Sequence, residues 1–517
     1  MLLISDVIYE EEVSFLKKSK KLFDEWNNKN INYCHWKSNE HLHEGLNGIT
    51  DVDVLVSSDD RLSCESILTN EGYKKFISQS GSKYNNVDEW LGFDEDTGKL
   101  IHIHLHYELI TGTKYLKEYS FPWCSLALDT RILDLDTNVY VISPNLELIL
   151  LYSRIVLKSA ENRRIIVSDD YLKEIEYLKK RMDPTKVKYL CLSLFNKHGE
   201  KIFELINKEI LTNKDAIILR EIIQKELSHC KKMNGLLVFL HHKYFKYTIR
   251  MKKILNLYFG SLYILKKVVG NEGFSVCFIG ADGSGKSTLS KDIQKWLSWK
   301  IDSKSFYLGS GDQYNSLLKV MKKNFQRLRK PVENNVDKAE KDRFNNKNTG
   351  SIRSSGKISL IKYIFTVAYS FELLRIAKTK LKTLKKINKY QKKGGIAILD
   401  RFPQVEFEGI YDGPKIGYIY KDYLRLPLMN YLASKEKKIL ANAIKYSPTI
   451  VFKLNLPPNV SIKRKPDHNL EEIKVKAEIT KKLSFTESAV YNIDATQLYD
   501  NELLEVKRQL WEKISVH

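Results

Sequence analysis

No C-x-x-C pair occurs among the six cysteines, Cys34, Cys64, Cys124, Cys191, Cys230 and Cys277, which are scattered along 517 residues. That spacing argues against a structural zinc site and against a disulfide framework. Long apolar runs are missing as well. The most apolar internal stretch, SLIKYIFTVAYSFELL at 359–374, is interrupted by Lys362 and Glu372 and falls short of the ~20 residues a membrane span needs. The N-terminus, MLLISDVIYEEEVSFLKK, carries acidic residues where a secretory signal needs a basic flank and an apolar core. From these absences a cytoplasmic, soluble chain is expected. Internal repeats are absent, and Gly and Pro are scarce between about 145 and 268.

What the chain has in excess is positive charge. Its 85 Lys and Arg against 63 Asp and Glu give a formal net charge of +22 and a pI near 9.3. Such a surface attracts polyanions: nucleic acid, anionic lipid, phosphorylated glycans or nucleotides. No nucleic-acid recognition motif accompanies the charge, which leaves nucleotides, glycans and a peripheral membrane contact. With 43% apolar residues, sizeable cores can be buried, and the length suits two or three domains.

Three regions separate. Residues 1–140 mix helix and strand, and DVDVLVS and KLIHIHLHYEL alternate apolar with polar residues as half-buried strands do. Pro144 opens a helical pattern, and 141–270 reads as a helical extension or linker. From 271 to 517, SVCFIGA, SKSFYLGSG, GIAILDRF, TIVFKLNL and AVYNIDA alternate with helical segments. Apolar strands separated by helices predict an α/β domain with a doubly wound parallel sheet. A basic insert covers 312–393: first a polar part rich in Asn, Lys and Arg, then a long helical pattern ending at Gly394–Gly395.

The stretch CFIGADGSGKSTLSKDI fits G-x-x-x-x-G-K-[ST], with Gly280, Gly285, Lys286 and Ser287 in the required places. A strand over Phe274–Ile279, a loop over Gly280–Gly285 and a helix over Lys286–Trp296 are the order the chemistry requires. Backbone N–H groups of such a turn converge on phosphates, and the helix N-terminus adds its positive dipole end. Lys286 would reach the β- and γ-phosphates, and Ser287 would hold Mg²⁺. AILDRFPQ places Asp400 and Arg401 at the end of another sheet strand, a carboxylate for metal or acceptor and a guanidinium for phosphate. Lys463, Arg464 and Lys465 follow the fourth strand, as positive charge able to close over a transferring group.

The block 274–517 resembles the thymidylate kinase family of nucleoside monophosphate kinases. The resemblance rests on DGSGKST (Asp282–Thr288), DRF (Asp400–Phe402), the basic segment around Arg464, and YNIDATQ (Tyr491–Gln497). It implies a P-loop kinase using ATP and Mg²⁺, with nucleotide held by Gly280, Asp282, Gly283, Ser284, Gly285, Lys286, Ser287 and Thr288. It further implies that Lys286 and Arg464 stabilise the transferred phosphoryl group while Asp282 and Arg401 touch the acceptor, with Asp400 beside them. The loop has no Arg between its glycines, so the cationic duty falls on Lys463–Lys465. The long insert, YLGSG (Tyr307–Gly311) and DRFPQVEFEGIYDGP (Asp400–Pro414) are similar to a divergent branch from bacterial surface-polysaccharide gene clusters. Two acceptors follow, a nucleoside monophosphate or a sugar or glycan-linked group. A third reading has the loop binding ATP in a regulatory protein.

In CHWKSNEHLHEGLNGITDVDVLV, Asp51 and Asp53 lie on one strand face after a small-residue turn at Lys37–Ser38. This approximates the hG[GS]…DhD pattern, and residues 1–140 resemble an uncharacterised bacterial nucleotidyltransferase-like family. That resemblance implies Mg²⁺ on Asp51 and Asp53, with His104 where a third carboxylate is expected. His102, His104 and His106 share one face, as a metal site or as stacked histidines on a half-exposed strand. An active transferase and a degenerate one that only binds nucleotide or glycan both fit these residues.

Overall fold

The computed structural model describes residues 15–78, 83–158, 167–260, 262–270, 272–309, 360–466 and 470–514. The polar first part of the basic insert, Ser310 and Gly311 of YLGSG, and most of the acidic N-terminal stretch lie outside them. The chain divides into two units: 1–272 with 300–302 and 504–517, and 273–299 with 303–503.

Among the described residues the first unit carries ten strands. They are β1 Tyr33–His35, β2 Asp51–Val56, β3 Lys74–Ile77, β4 Val87–Phe93, β5 Leu100–His106, β6 Leu109–Thr111, β7 Tyr119–Phe121, β8 Ile132–Asp134, β9 Val139–Val141 and β10 Val268–Val269. Eight form one mixed sheet in the order β10-β3-β4-β5-β2-β1-β9-β8. β2 and β5 run parallel, with Asp51 opposite His102 and Asp53 opposite His104, while β4 runs antiparallel to β5 with Glu89 opposite His104. Alternation along β2 sends Val52, Val54 and Val56 into a core with Leu22, Phe23 and Trp26 of the helix Lys17–Asn28. Asp51 and Asp53 therefore go to the other face.

β5 differs from its expected half-exposed state. It lies inside the sheet, with Ile101, Ile103 and Leu105 in the apolar core and His102 and His106 buried on the opposite side. Carboxylates from β2 and β4 meet all three histidines, though His106 Nδ1 stays buried without a hydrogen-bond partner, so polar residues there do not mark solvent.

After Pro144 the unit is helical. The helix Pro144–Lys158 is buried almost throughout, because helices 169–179, 184–194 and 213–226 pack round it, with 199–207 behind the last two. Local chemistry marks the starts: Asp183 caps a helix whose first residue is Pro184, and Thr212 with Asp215 makes a reciprocal capping box. A helix over Gly235–Tyr258 ends this series.

Among the described residues the second unit is built on five parallel strands, β11 Ser275–Gly280, β12 Ser303–Tyr307, β13 Ile396–Asp400, β14 Ile450–Asn455 and β15 Ala489–Asp494, in the order β12-β13-β11-β14-β15. The three middle strands are apolar and buried nearly end to end, as a sheet covered on both faces demands. Helix Leu360–Gln391 packs beside helix Pro427–Ile444 through Leu373, Leu374, Met429 and Leu432. Because the strands are parallel, the loops that follow β11, β13, β14 and β15 all leave the same edge of the sheet.

Candidate functional site

The loop after β11 has the geometry its sequence predicts. Gly283 and Gly285 sit at φ +85° and +87°, values that favour glycine, and Gly285 caps the helix Lys286–Leu297. A Cβ on Gly283 would also lie 3.3 Å from both the Ser461 carbonyl oxygen and Lys465 Cγ, so the 461–465 segment passes directly over the loop. Lys286 folds back and donates from Nζ to the Ala281 carbonyl at 2.8 Å. Burial, with Arg401 nearby, pushes its ammonium down to about 8. The Ser284 hydroxyl is buried without a hydrogen-bond partner.

Ser287 and Asp400 meet across 113 residues of sequence: the Ser287 hydroxyl donates to Asp400 Oδ2 at 2.7 Å. Asp400 Oδ1 is buried and has no hydrogen-bond partner. Two hard oxygen donors, one already paired and one orphaned, suit a small divalent cation. Thr288, in the same first turn, is exposed.

Asp282 accepts from Lys476 Nζ at 2.5 Å and faces Arg401 Nη2 at 3.5 Å. Burial would raise its pKa, but Lys476, with Lys286 and Arg401 beside it, outweighs that and holds the carboxyl below its ordinary value. Arg401 itself occupies the left-handed region at φ +73°. Its Nη1 lies 3.9 Å from Asp412, which Lys380 of the long helix 360–391 meets at 2.7 Å in full burial. Gln404 braces the intervening loop by donating to Phe407 and Ile410 carbonyls and accepting from the Phe407 N–H. Arg464 stands exposed at the end of the helix Pro458–Arg464; it donates to the Ala495 carbonyl at 3.1 Å and reaches the Gly283 carbonyl at 3.5 Å. Lys463 and Lys465 flank it, also exposed. A cavity of about 550 Å³ opens beside Ala281, walled by Leu456, Pro457, Asn492 and Thr496 among others.

The second unit thus brings Lys286, Ser287, Asp400, Asp282, Arg401 and Arg464 to one loop cluster. Sequence reasoning missed Lys476, Lys380 and Asp412. The first two sit in lysine-rich helices with nothing local to single them out.

In the first unit Asp51, Asp53, His102, His104 and His106 share one sheet face, and Glu89 of β4, which the sequence reading did not select, joins them. His102 bridges Asp51 and Glu89 at 2.7 Å each, and His104 bridges Asp53 at 3.1 Å and Glu89 at 2.9 Å. Burial opposes protonation of His104, but Glu89 and Asp53 overcome it and push its pKa up to about 9. Burial instead pushes His106 down to about 4. Two triads, Asp51–His102–His104 and Asp53–His104–His106, bring possible metal-ligand atoms within 4.8 Å of one another. Cations already attend the carboxylates: Lys37 at 2.5 Å from Asp53, Lys267 at 3.5 Å from Glu89, and Lys300 on Asp51.

Strand, glycine loop, helix and parallel sheet together define a P-loop α/β domain. The chain is 28% identical over 236 residues to the uncharacterized ATP-binding protein YghR of Escherichia coli K12, covering 44% of this chain and 83% of that protein. It is 25% identical over 247 residues to the uncharacterized ATP-binding protein YghS of the same organism, covering 46% and 93%. A deoxyadenosine kinase from M. mycoides, solved with dATP, aligns over 46% of this chain and 98% of its own at 16% identity, with a TM-score of 0.25. No protein-family model matches the chain.

Proposed function

We propose that the second unit is a phosphotransferase of the thymidylate kinase type, moving the γ-phosphoryl group of ATP to an acceptor beside Asp282, Arg401 and the 402–414 loop. The observation that supports it is the meeting, at one glycine loop, of a buried lysine, the Ser287–Asp400 oxygen pair and the Asp282–Arg401–Lys476 cluster. ATP as donor is also in keeping with the ATP-binding names of YghR and YghS.

In this reading the loop N–H groups and Lys286 hold the triphosphate, and the cavity beside Ala281 takes the base. Mg²⁺ on Ser287 and Asp400 would neutralise phosphate charge. An acceptor oxygen attacks the γ-phosphorus, the bond to the β–γ bridging oxygen breaks, and ADP leaves with the electron pair. Arg401 and Lys476 orient the acceptor's anionic group, and Arg464, over the loop, meets the charge that develops on the transferred oxygens. Catalysis is positioning plus electrostatics.

A nucleoside monophosphate is the first acceptor to test. A sugar or glycan-linked acceptor is the second reading, favoured by the braced loop from Arg401 to Asp412. For the first unit we read a nucleotidyltransferase-like domain that has lost its chemistry, because lysines attend Asp51, Asp53 and Glu89.

Labelled ATP with Mg²⁺ should be offered a panel of nucleoside monophosphates, with Lys286→Ala beside the wild type. Transfer abolished by Lys286→Ala is the expected result. ATP binding with no monophosphate used would refute the nucleotide acceptor and move the test to glycan fragments. Binding without transfer to either acceptor would leave the loop a regulatory ATP site and refute the kinase reading.

A further inference from the structure

The helix Gly235–Tyr258 has two apolar faces where a packed helix needs one. Val238 and His242 are buried, and His242 Nδ1 lies 3.1 Å from the Lys114 carbonyl oxygen, which fixes one face to the body of the first unit. On the opposite side Leu236, Leu240, Tyr244, Tyr247, Met251 and Tyr258 recur every three or four residues, or two turns apart, and stand 51% to 74% exposed. They form a straight stripe along a helix of roughly 36 Å. A contiguous exposed apolar face of this length marks an interaction surface.

The charges choose its occupant. Lys243, Lys246, Arg250 and Lys253 follow one flank of the stripe, and no Asp or Glu occurs anywhere from 227 to 271. An aromatic and aliphatic stripe edged by Lys and Arg is the composition of a helix lying in the plane of an anionic bilayer. Tyrosines suit the headgroup level, with an apolar ring and a polar tip. A second copy of the same helix would set two rows of like charge against each other. Among the described residues no helix is long and apolar enough to cross a membrane, so the helix would rest on the surface. We infer that Gly235–Tyr258 docks this protein peripherally on an anionic lipid surface, through its apolar stripe and the basic row beside it.

Flotation of the full chain with phosphatidylcholine vesicles, and with an equimolar mixture of phosphatidylcholine and phosphatidylglycerol, tests this. The wild type should float with the mixed vesicles and not with the neutral ones. Two variants follow: Leu240→Glu/Tyr247→Glu/Met251→Glu, and Lys246→Gln/Arg250→Gln/Lys253→Gln. Each should lower the bound fraction at least roughly tenfold. All six side chains are exposed, so thermal melting should stay as in the wild type. Failure of the wild type to float overturns the proposal, as does a glutamate variant that floats like the wild type. So does a stable dimer that the glutamate variant converts to monomer without any vesicle binding, which would make the stripe a self-interface.

Discussion

Replacing Lys380 by Met removes one member of a buried pair and leaves Asp412 inside the protein. Both side chains are almost wholly buried and meet at 2.7 Å, with Arg401 at 3.9 Å as a further cation on Asp412. Breaking a buried pair costs about 3–5 kcal/mol because one charge is left uncompensated. Arg401 softens that loss, so the lower end, about 3 kcal/mol, applies. In a domain of 150–250 residues this lowers the melting temperature by about 6–12 °C. Differential scanning calorimetry reads the shift, and hydrogen exchange localises it to 401–414 and the facing turns of the helix 360–391. Lys380→Met/Asp412→Leu removes both charges and should recover part of the loss, leaving about 1–2 kcal/mol because residue 412 sits at φ +62°, where leucine is strained. A single variant within about 0.5 kcal/mol of the wild type would refute the reasoning: Asp412 would then not be left as an uncompensated buried charge.

Asp400→Asn should raise the Mg²⁺ concentration needed for half-maximal nucleotide turnover roughly tenfold or more, while nucleotide binding without Mg²⁺ changes little; a Mg²⁺ titration of both proteins checks it. Lys286 loses its proton as pH rises through about 8, and only its charged form attracts the triphosphate. ATP affinity in calorimetric titrations should therefore fall by up to about tenfold per pH unit above that point, and Lys286→Ala should lack the slope. His104 is raised from its ordinary 6.5 to about 9, so its stabilising contribution is complete below 6.5 and is lost as pH climbs to 9. Thermal melts of the first unit across that window should fall in the wild type and flatten in His104→Gln.

Much of the second unit was legible because its signals are local. A glycine loop between an apolar strand and a helix fits within a few residues, and Asp400 ends an apolar strand that could only be central. Lys476 and the Lys380–Asp412 pair were not legible. Lys476 lies 194 residues from Asp282, and neither lysine differs in sequence from its solvated neighbours. The first unit misleads in another way: IHIHLH alternates like a half-exposed strand, yet β2 and β4 supply carboxylates to its polar face and bury it. Glu89 was overlooked because antiparallel pairing of β4 with β5, which sequence does not announce, brings it opposite His104. In the helix Gly235–Tyr258 the two apolar faces blur any single period, and the segment reads only as more helix.

The claim that the triphosphate sits on the Gly280–Gly285 loop under Lys286 is tested most directly by ATP titration calorimetry with Mg²⁺ on the wild type and Lys286→Ala. The account predicts binding in the wild type weakened at least about 100-fold by Lys286→Ala, the loss of a buried charge contact to phosphate. Binding unchanged by Lys286→Ala would contradict it and place any ATP site elsewhere in the chain.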